Sequence, residues 1–518
     1  MSSSYVTLTY HTHPFSNSVE TAILALCAVL LGRIIRDHDA SLGTYSNSET
    51  SAAGAEGEPA AEAKSLASIT GPETSSAGLS FMLGVLFAVG MFTRITFVLY
   101  GFPLGIMFLH LNMMASFRKD ASLLKGFGQF IMACIPLALG LGLTSALVIL
   151  IDSIYFGKLI ILDKTTGSPL TTPLQLLATT SPQDWINNLT YKGSLTVTML
   201  NNLRYNLDAK NLAEHGLHPR YLHLLVNYPV LFGNLAWTGM TAILQKLISR
   251  QWKSKSKLVT ALGYSGICGI ILLSAMPHQE ARFLSPLVLP LVVTLSRRIS
   301  KLGRKFWPIW LLTNAVMSIV FGFLHQSGLV PAMDLVQHKA LGFHSCQQVV
   351  QSKVDHALCF TDPSRRGAMH IQDDGMSYST RVVFYKTYLP PQHLLGYNSH
   401  SAQAHGVNLT IADWRTKDQD VLLKDLNSIT VERGASVDMT LLRNLSEQEK
   451  EGQQAVLFRK TGPRQFERTL LIAPATIDFS DQYFYETRDR IPWHADLDRI
   501  QVILKNPLQT LYLNVFYL

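Results

Sequence analysis

Charge is what this chain has least of. Asp, Glu, Lys and Arg make up 15% of its 518 residues, where soluble domains carry about 25%. The 44 basic and 36 acidic residues leave a formal net charge of only +8. With 47% hydrophobic residues and a mean hydropathy of +0.18, this scarcity argues against a single water-soluble globule. Disorder over most of the chain is excluded as well, because abundant Leu, Ile, Val and Phe bury too much apolar surface. A long basic face is missing: the positive charges fall in short clusters beside apolar runs, which speaks against nucleic acid as a partner. Cysteines number five and include no Cys-x-x-Cys, so no zinc site is expected. No repeat of fixed period appears, and Met1 to Phe15 lacks the apolar core of a cleavable leader. The membrane class remains.

A helix needs about 20 apolar residues to cross roughly 30 Å of hydrocarbon while satisfying its own backbone. Phe130 to Ile151, Leu258 to Met276 and Phe306 to Leu324 meet this with no internal Asp, Glu, Lys or Arg. Leu222 to Leu244 is a fourth candidate, and Leu79 to Phe117 fits two passes with a turn at Phe92-Thr93-Arg94. Thr21 to Ile35, interrupted at Arg33, and the short Leu284 to Leu295 bring the expected number to about eight. Positively charged loops stay in the cytosol. The clusters Arg118, Lys119, Lys125, then Arg250, Lys253, Lys255, Lys257, then Arg297, Arg298, Lys301, Arg304, Lys305 are therefore placed there. The loop from Asp152 to Arg220, the segment Pro277 to Phe283 and the tail then face the opposite compartment. Three glycosylation sequons, at Asn188, Asn408 and Asn444, all fall on that far side. Cys27, Cys134 and Cys268 lie in apolar runs as packing residues, whereas Cys346 and Cys359 share the far-side tail and are placed to pair in an oxidising lumen.

The expected organisation is a luminal start and first span over residues 1–35, a disordered cytosolic loop over 36–78, a multi-span region over 79–330 and a luminal domain over 331–518. The loop is rich in Ser, Ala, Gly and Glu without an apolar stripe. The tail returns to a soluble composition, with strand-like runs at Arg381 to Tyr388, Gln454 to Phe458 and Leu470 to Phe479, and reads as mixed α/β.

Polar groups just outside membrane helices are more often functional than those in open loops. The densest set is His278-Gln279-Glu280-Ala281-Arg282-Phe283, where an imidazole, a carboxylate and a guanidinium could bind a phosphate and orient a hydroxyl. An interfacial salt-bridge cluster ending one helix and starting the next is the plainer alternative. Arg94 either grips a lipid phosphate or snorkels to the interface. Asp152 is a solvated helix end or a base near the membrane surface. Asn202, in Asn201 to Asn206, together with His215, His218 and Arg220 suits a sugar or phosphate head, or forms a solvated loop.

The segments His11-Thr12-His13-Pro14-Phe15-Ser16-Asn17-Ser18-Val19-Glu20-Thr21, Phe92-Thr93-Arg94-Ile95-Thr96, Asn211 to Tyr221 and His278 to Leu284 occur in this order. Together they resemble the endoplasmic reticulum (ER) mannosyltransferases that use dolichyl phosphate mannose, and most of all those adding the fourth mannose of the GPI anchor. Lys386-Thr387-Tyr388-Leu389-Pro390-Pro391 extends the likeness into the tail. The resemblance implies a mainly α, multi-pass GT-C-like bundle of about eight spans in the ER membrane, with a C-terminal luminal mixed α/β domain. It implies inverting transfer of mannose to the 2-hydroxyl of the third mannose of the GPI precursor, with a luminal active site. The partners implied are the lipid-linked donor, the glycolipid acceptor and membrane lipids; no metal, cofactor or nucleic acid is expected. Arg94, His278 and Arg282 match the cations needed at the departing phosphate. Members of the family carry a His-Pro-Asp-Glu type motif upstream of the stretch that begins here at Met1, so the general base is expected there. Failing that, Asp152 or Glu280 would serve. The competing readings are transferases for the third GPI mannose or the N-glycan precursor, an inactive relative, and a transporter, which would show internal pseudo-repeats.

Overall fold

A computed structural model describes residues 3–12, 15–52, 73–119, 122–164, 167, 189–208, 210–211, 217–249, 256–341, 346–351, 356–361, 377–395, 407–429, 454–462, 465–479 and 486–517. It contains two compact units, Met1–Val316 and Met317–Leu518, so the second begins earlier than the boundary expected at 331.

The first unit is helical. Its main elements are α1 (Ser16–Ala52), α2 (Glu73–Thr93), α3 (Phe97–Lys119), α4 (Leu123–Tyr155), α5 (Thr198–Leu207), α6 (Asn234–Ser249), α7 (Lys257–Ser274), α8 (Val288–Leu302) and α9 (Phe306–Ile319), which runs into the second unit. A small hairpin, β1 (Leu159–Asp163) against β2 (Leu189–Gly193), lies between α4 and α5. Among the described residues, six stretches are long and apolar enough to cross a membrane: Ser16–Ala40, Ser76–Thr93, Phe97–Phe117, Leu123–Tyr155, Lys257–Ser274 and Ala281–Leu324. The last, 44 residues long, is interrupted where Gly303 adopts φ +57° between α8 and α9, a conformation open mainly to glycine. The span expected from Leu222 is broken too. It consists of π-helical turns at Leu222–Asn227, a short helix Tyr228–Phe232, Gly233 at φ +51°, and then α6. Among the described residues six stretches thus qualify, against about eight expected.

One expectation needs correction. The loop assigned to residues 36–78 is helical at both ends, because α1 continues to Ala52 and α2 starts at Glu73. No proline interrupts the chain from Ser16 to Ala52, and Asp39 is tied to Lys257 at the head of α7 at 2.6 Å, which fixes the helix beyond its apolar part.

Outward faces are apolar, as lipid requires: Leu139, Leu143, Leu147 and Leu150 on α4 are all exposed. Against α2 the same helix packs backbone to backbone. A Cβ at Gly84 would collide with the Leu137 carbonyl, and one at Gly140 with the Phe81 carbonyl, so this seam tolerates only glycine.

The second unit is a mixed α/β sandwich. Its strands are β3 (Cys346–Gln351), β4 (His356–Thr361), β5 (Ser377–Phe384), β6 (Val407–Asp413), β7 (Gln454–Gly462), β8 (Gln465–Pro474), β9 (Glu486–Pro492) and β10 (Tyr512–Tyr517). At the centre is β8, antiparallel to β10 and β7 and parallel to β5, which in turn pairs parallel with β6. Side chains alternate across a strand, and both faces of this sheet are covered. Val382, Phe384, Leu470 and Ile472 pack under α10 (Leu329–Leu341) through Leu329, Ala332, Met333 and Val336. Val383, Tyr385, Leu471 and Ala473 pack under α11 (Gln419–Ile429) through Leu422 and Leu426. Two-sided burial explains the consecutive apolar residues Val382 to Phe384 in β5 and Leu470 to Ala473 in β8. Where the last apolar stretch ends, the His325 ring Nε2 lies 2.8 Å from the Tyr388 hydroxyl. Nearby, His494 is fully buried with neither ring nitrogen hydrogen-bonded among the described residues.

Candidate functional site

The site begins with one carboxylate. Glu20 lies in the first turns of an apolar helix and is fully buried, a position where an ionised group persists only with partners. The turn between α2 and α3 supplies them. Arg94 Nε lies 3.3 Å from Glu20 Oε2, and the Thr96 hydroxyl donates to Oε1 at 2.8 Å. Arg94 also donates to Thr96 Oγ1 at 3.1 Å and to Ser16 Oγ at 2.9 Å. Burial pulls the Arg94 guanidinium below its ordinary value, and Glu20 acts against that pull. The turn predicted at Arg94 is thus bolted to the first helix.

The segment after α7 forms the other half. Gln279, 2% exposed, accepts from the His223 backbone N–H at 2.8 Å and donates to the carbonyls of Ser274, Met276 and Arg220 at 2.8, 3.0 and 3.3 Å. His218 joins this stitch: its N–H donates to Pro277 O at 2.9 Å, its Nδ1 accepts from Gln279 N at 3.3 Å, and its ring centroid is 5.5 Å from that of His278. Burial, then proximity to His278, lowers the His218 imidazole, so it is neutral at neutral pH. Glu280 meets His278 Nε2 at 2.9 Å and the Arg282 guanidinium. Burial works to raise the Glu280 carboxyl, but the His278 hydrogen bond and the Arg282 charge outweigh it and hold it at about 2. Such a carboxylate fixes cations well and accepts a proton poorly.

Phe283 brings the halves together. The Arg94 guanidinium stands 5.0 Å from its ring centroid and that of Arg282 6.0 Å, while Arg282 also lies 5.6 Å from the Phe15 ring. The His278 and His223 rings are 5.8 and 6.5 Å away, and the Phe283 carbonyl accepts from the Tyr100 hydroxyl at 2.9 Å. Two guanidinium groups and two imidazoles therefore surround one aromatic ring, with two carboxylates balancing the guanidinium charges. Arg282 and Glu280 form the open side, their side chains 40% and 33% exposed. Guanidinium groups at such a rim are suited to the oxygens of a phosphate.

Of the residues singled out in the sequence, Arg94, His218, His278, Glu280 and Arg282 come together here. Arg220 adjoins them, its guanidinium donating to the Ala275 carbonyl. Asp152 and Asn202 do not share these contacts. Asp152 accepts from the Thr198 hydroxyl at the head of α5, beside Ser153, whose Oγ accepts from Thr196 N at 2.8 Å. Asn202 is bonded to Asn206 at 2.7 Å on α5. His215, Asn188 and Asn444 lie outside the described residues. Of Asn408, Cys346 and Cys359 only the backbone is described, with Cys359 opposite Val349 and Cys346 opposite Thr361 on neighbouring strands. Sequence reasoning gave Glu20, Gln279 and Phe283 no part of their own. A lone Glu inside an apolar helix was the signal available for Glu20; an uncharged Gln and a Phe carry none.

Fold and site together define a polytopic membrane protein of GT-C-like architecture, with paired arginines at one end of its helices. The family profile of the Alg9-like mannosyltransferases matches residues 1–366, and the chain belongs to that family. It is 29% identical over 405 residues to GPI mannosyltransferase 4 of Aspergillus oryzae, covering 78% of this chain and 56% of that protein. It is 28% identical over 409 residues to the human GPI alpha-1,2-mannosyltransferase 4, covering 76% and 54%, and 30% identical over 334 residues to GPI mannosyltransferase 4 of Saccharomyces cerevisiae, covering 63% and 46%. The chain thus spans about half the length of these relatives. No solved structure gives a significant match.

Proposed function

We propose that this chain carries the donor site of an ER α-1,2-mannosyltransferase that moves mannose, with inversion, from dolichyl phosphate mannose to the third mannose of the GPI precursor. The convergence of Arg94 and Arg282 on Phe283 carries the reading, because it is where an acidic leaving group could be met by fixed positive charge. The names of the relatives support the choice of acceptor. In this scheme Arg94, Arg282 and His278 receive the departing phosphate, and the loop holding His215, His218 and Arg220, with Asn202, contacts the sugars. The acceptor hydroxyl gives its proton to a carboxylate. Asp152 is the remaining assignment in this chain, since Glu280 is engaged by two cations. The active site faces the lumen, and no metal or other cofactor takes part. The test is to express the full-length protein in cells lacking the fourth-mannose activity and supply radiolabelled dolichyl phosphate mannose. A four-mannose product that α-1,2-mannosidase shortens is expected. Labelling of a two-mannose acceptor instead would assign the chain to the preceding step, and no labelling of either would refute the reading.

A further inference from the structure

A cavity of about 390 Å³ lies among α6, α7 and α8, away from the arginine site. Its walls are apolar along most of their length. Tyr228, Ile270 and Leu287 line one end, and Lys246, Ser256 and Arg297 line the other. From Val259 to Ile270 it follows eleven steps of α7, about 16 Å at 1.5 Å per residue, which suits an acyl chain lying parallel to the helices.

The two ends differ chemically. Neither Lys246 nor Arg297 meets a carboxylate among the described residues, whereas the neighbouring Arg298 is held by Gln245 at 2.6 Å and Thr241 at 3.3 Å. Two cations with no carboxylate partner among the described residues and the Ser256 hydroxyl, at the mouth of an apolar slot, fit an amphiphile with an anionic head, as basic recesses between membrane helices do. Both a phospholipid and a polyisoprenyl phosphate have that chemistry. Helix direction separates them: α7 ends at Ser274, just before His278, and α8 follows directly on Arg282 and Phe283, so the basic mouth lies at the opposite end of these helices from the arginine site. A lipid with its head at Lys246 and Arg297 belongs to the other leaflet.

We infer that the slot binds one anionic glycerophospholipid, with its phosphate at Lys246, Arg297 and Ser256 and an acyl chain between α6, α7 and α8. The site is independent of the transfer reaction. Native mass spectrometry of the full-length protein, offered equimolar palmitoyl-oleoyl phosphatidylserine and phosphatidylcholine in detergent, tests it. Wild type should retain one phosphatidylserine with a preference of about tenfold. Lys246→Ala/Arg297→Ala should bring the preference close to parity. Gly263→Leu fills the slot, since a Cβ there meets only the Thr294 methyl at 3.8 Å, and it should lose both lipids. Equal retention of the two lipids by wild type, an unchanged preference in the double variant, unchanged binding in Gly263→Leu, or displacement by added polyisoprenyl phosphate would each overturn the assignment.

Discussion

Glu20 on the first membrane helix and Arg94 in the turn between the second and third lie 3.3 Å apart, with the carboxylate wholly out of contact with solvent. Removing one partner leaves the other as a buried, uncompensated charge, at a cost of about 3–5 kcal/mol. Removing both leaves none.

Glu20→Ala and Arg94→Ala should therefore each lower the unfolding temperature in detergent well below that of wild type, and Glu20→Gln/Arg94→Gln should recover most of the loss. Transfer should remain absent in the double variant, because the guanidinium is gone. Additive destabilisation in the double variant would show that the two residues do not act as a pair.

Loss of transfer is expected at each of the three cationic residues of the site. His278→Ala, Arg282→Ala and Arg94→Ala in the full-length protein should each reduce transfer by about 10²-fold or more, the usual loss when one preorganised charge partner is removed. The first two should still insert at wild-type level, since neither belongs to the buried Glu20–Arg94 pair. Retained mannosylation of a three-mannose acceptor by all three variants would sink the site.

Acid should weaken the second unit through His494. Burial lowers its imidazole from 6.5 to about 4, so the unfolded chain binds a proton in this interval that the folded one does not. Stability contributed by the neutral ring is complete above pH 6.5 and declines as pH falls toward 4, by up to roughly 3 kcal/mol. Melting curves across that range should flatten in His494→Leu. A variant with the wild-type pH slope would assign the effect elsewhere.

The orientation has its own check. Asn188, Asn408 and Asn444 should carry glycans, with mobility shifts that glycosidase removes and Gln substitution abolishes, while the loop near Ser254 should be inaccessible from that side. Absence of a shift at all three would reverse the assignment of faces.

Legibility in the sequence followed the cost of error in a membrane. An apolar run and an Arg that ends it are each forced by hydrocarbon, so the helix pair around Arg94 could be read directly. His278, Glu280 and Arg282 stood out for the same reason. The breaks at Gly233 and Gly303 could not be read, because a positive φ leaves no mark in hydropathy. Gln279 was hidden because two of its four side-chain hydrogen bonds reach residues nearly sixty positions away. In the second unit the strand runs were visible, but the parallel pairing of β5 with β8 depends on contacts far apart in the chain, which local periodicity does not encode.

Helix α4 has 33 residues and so measures about 50 Å against about 30 Å of hydrocarbon. Even inclined by about 40°, the steep end of observed tilts, it covers about 38 Å along the bilayer normal. The surplus stands clear of the acyl chains, and its end carries the Asp152–Thr198 and Ser153–Thr196 contacts and the β1–β2 hairpin. This helix is thus a pillar whose length sets the height of the hairpin above the bilayer, and a thicker membrane would lower that platform, a thinner one raise it, without altering any bond within it.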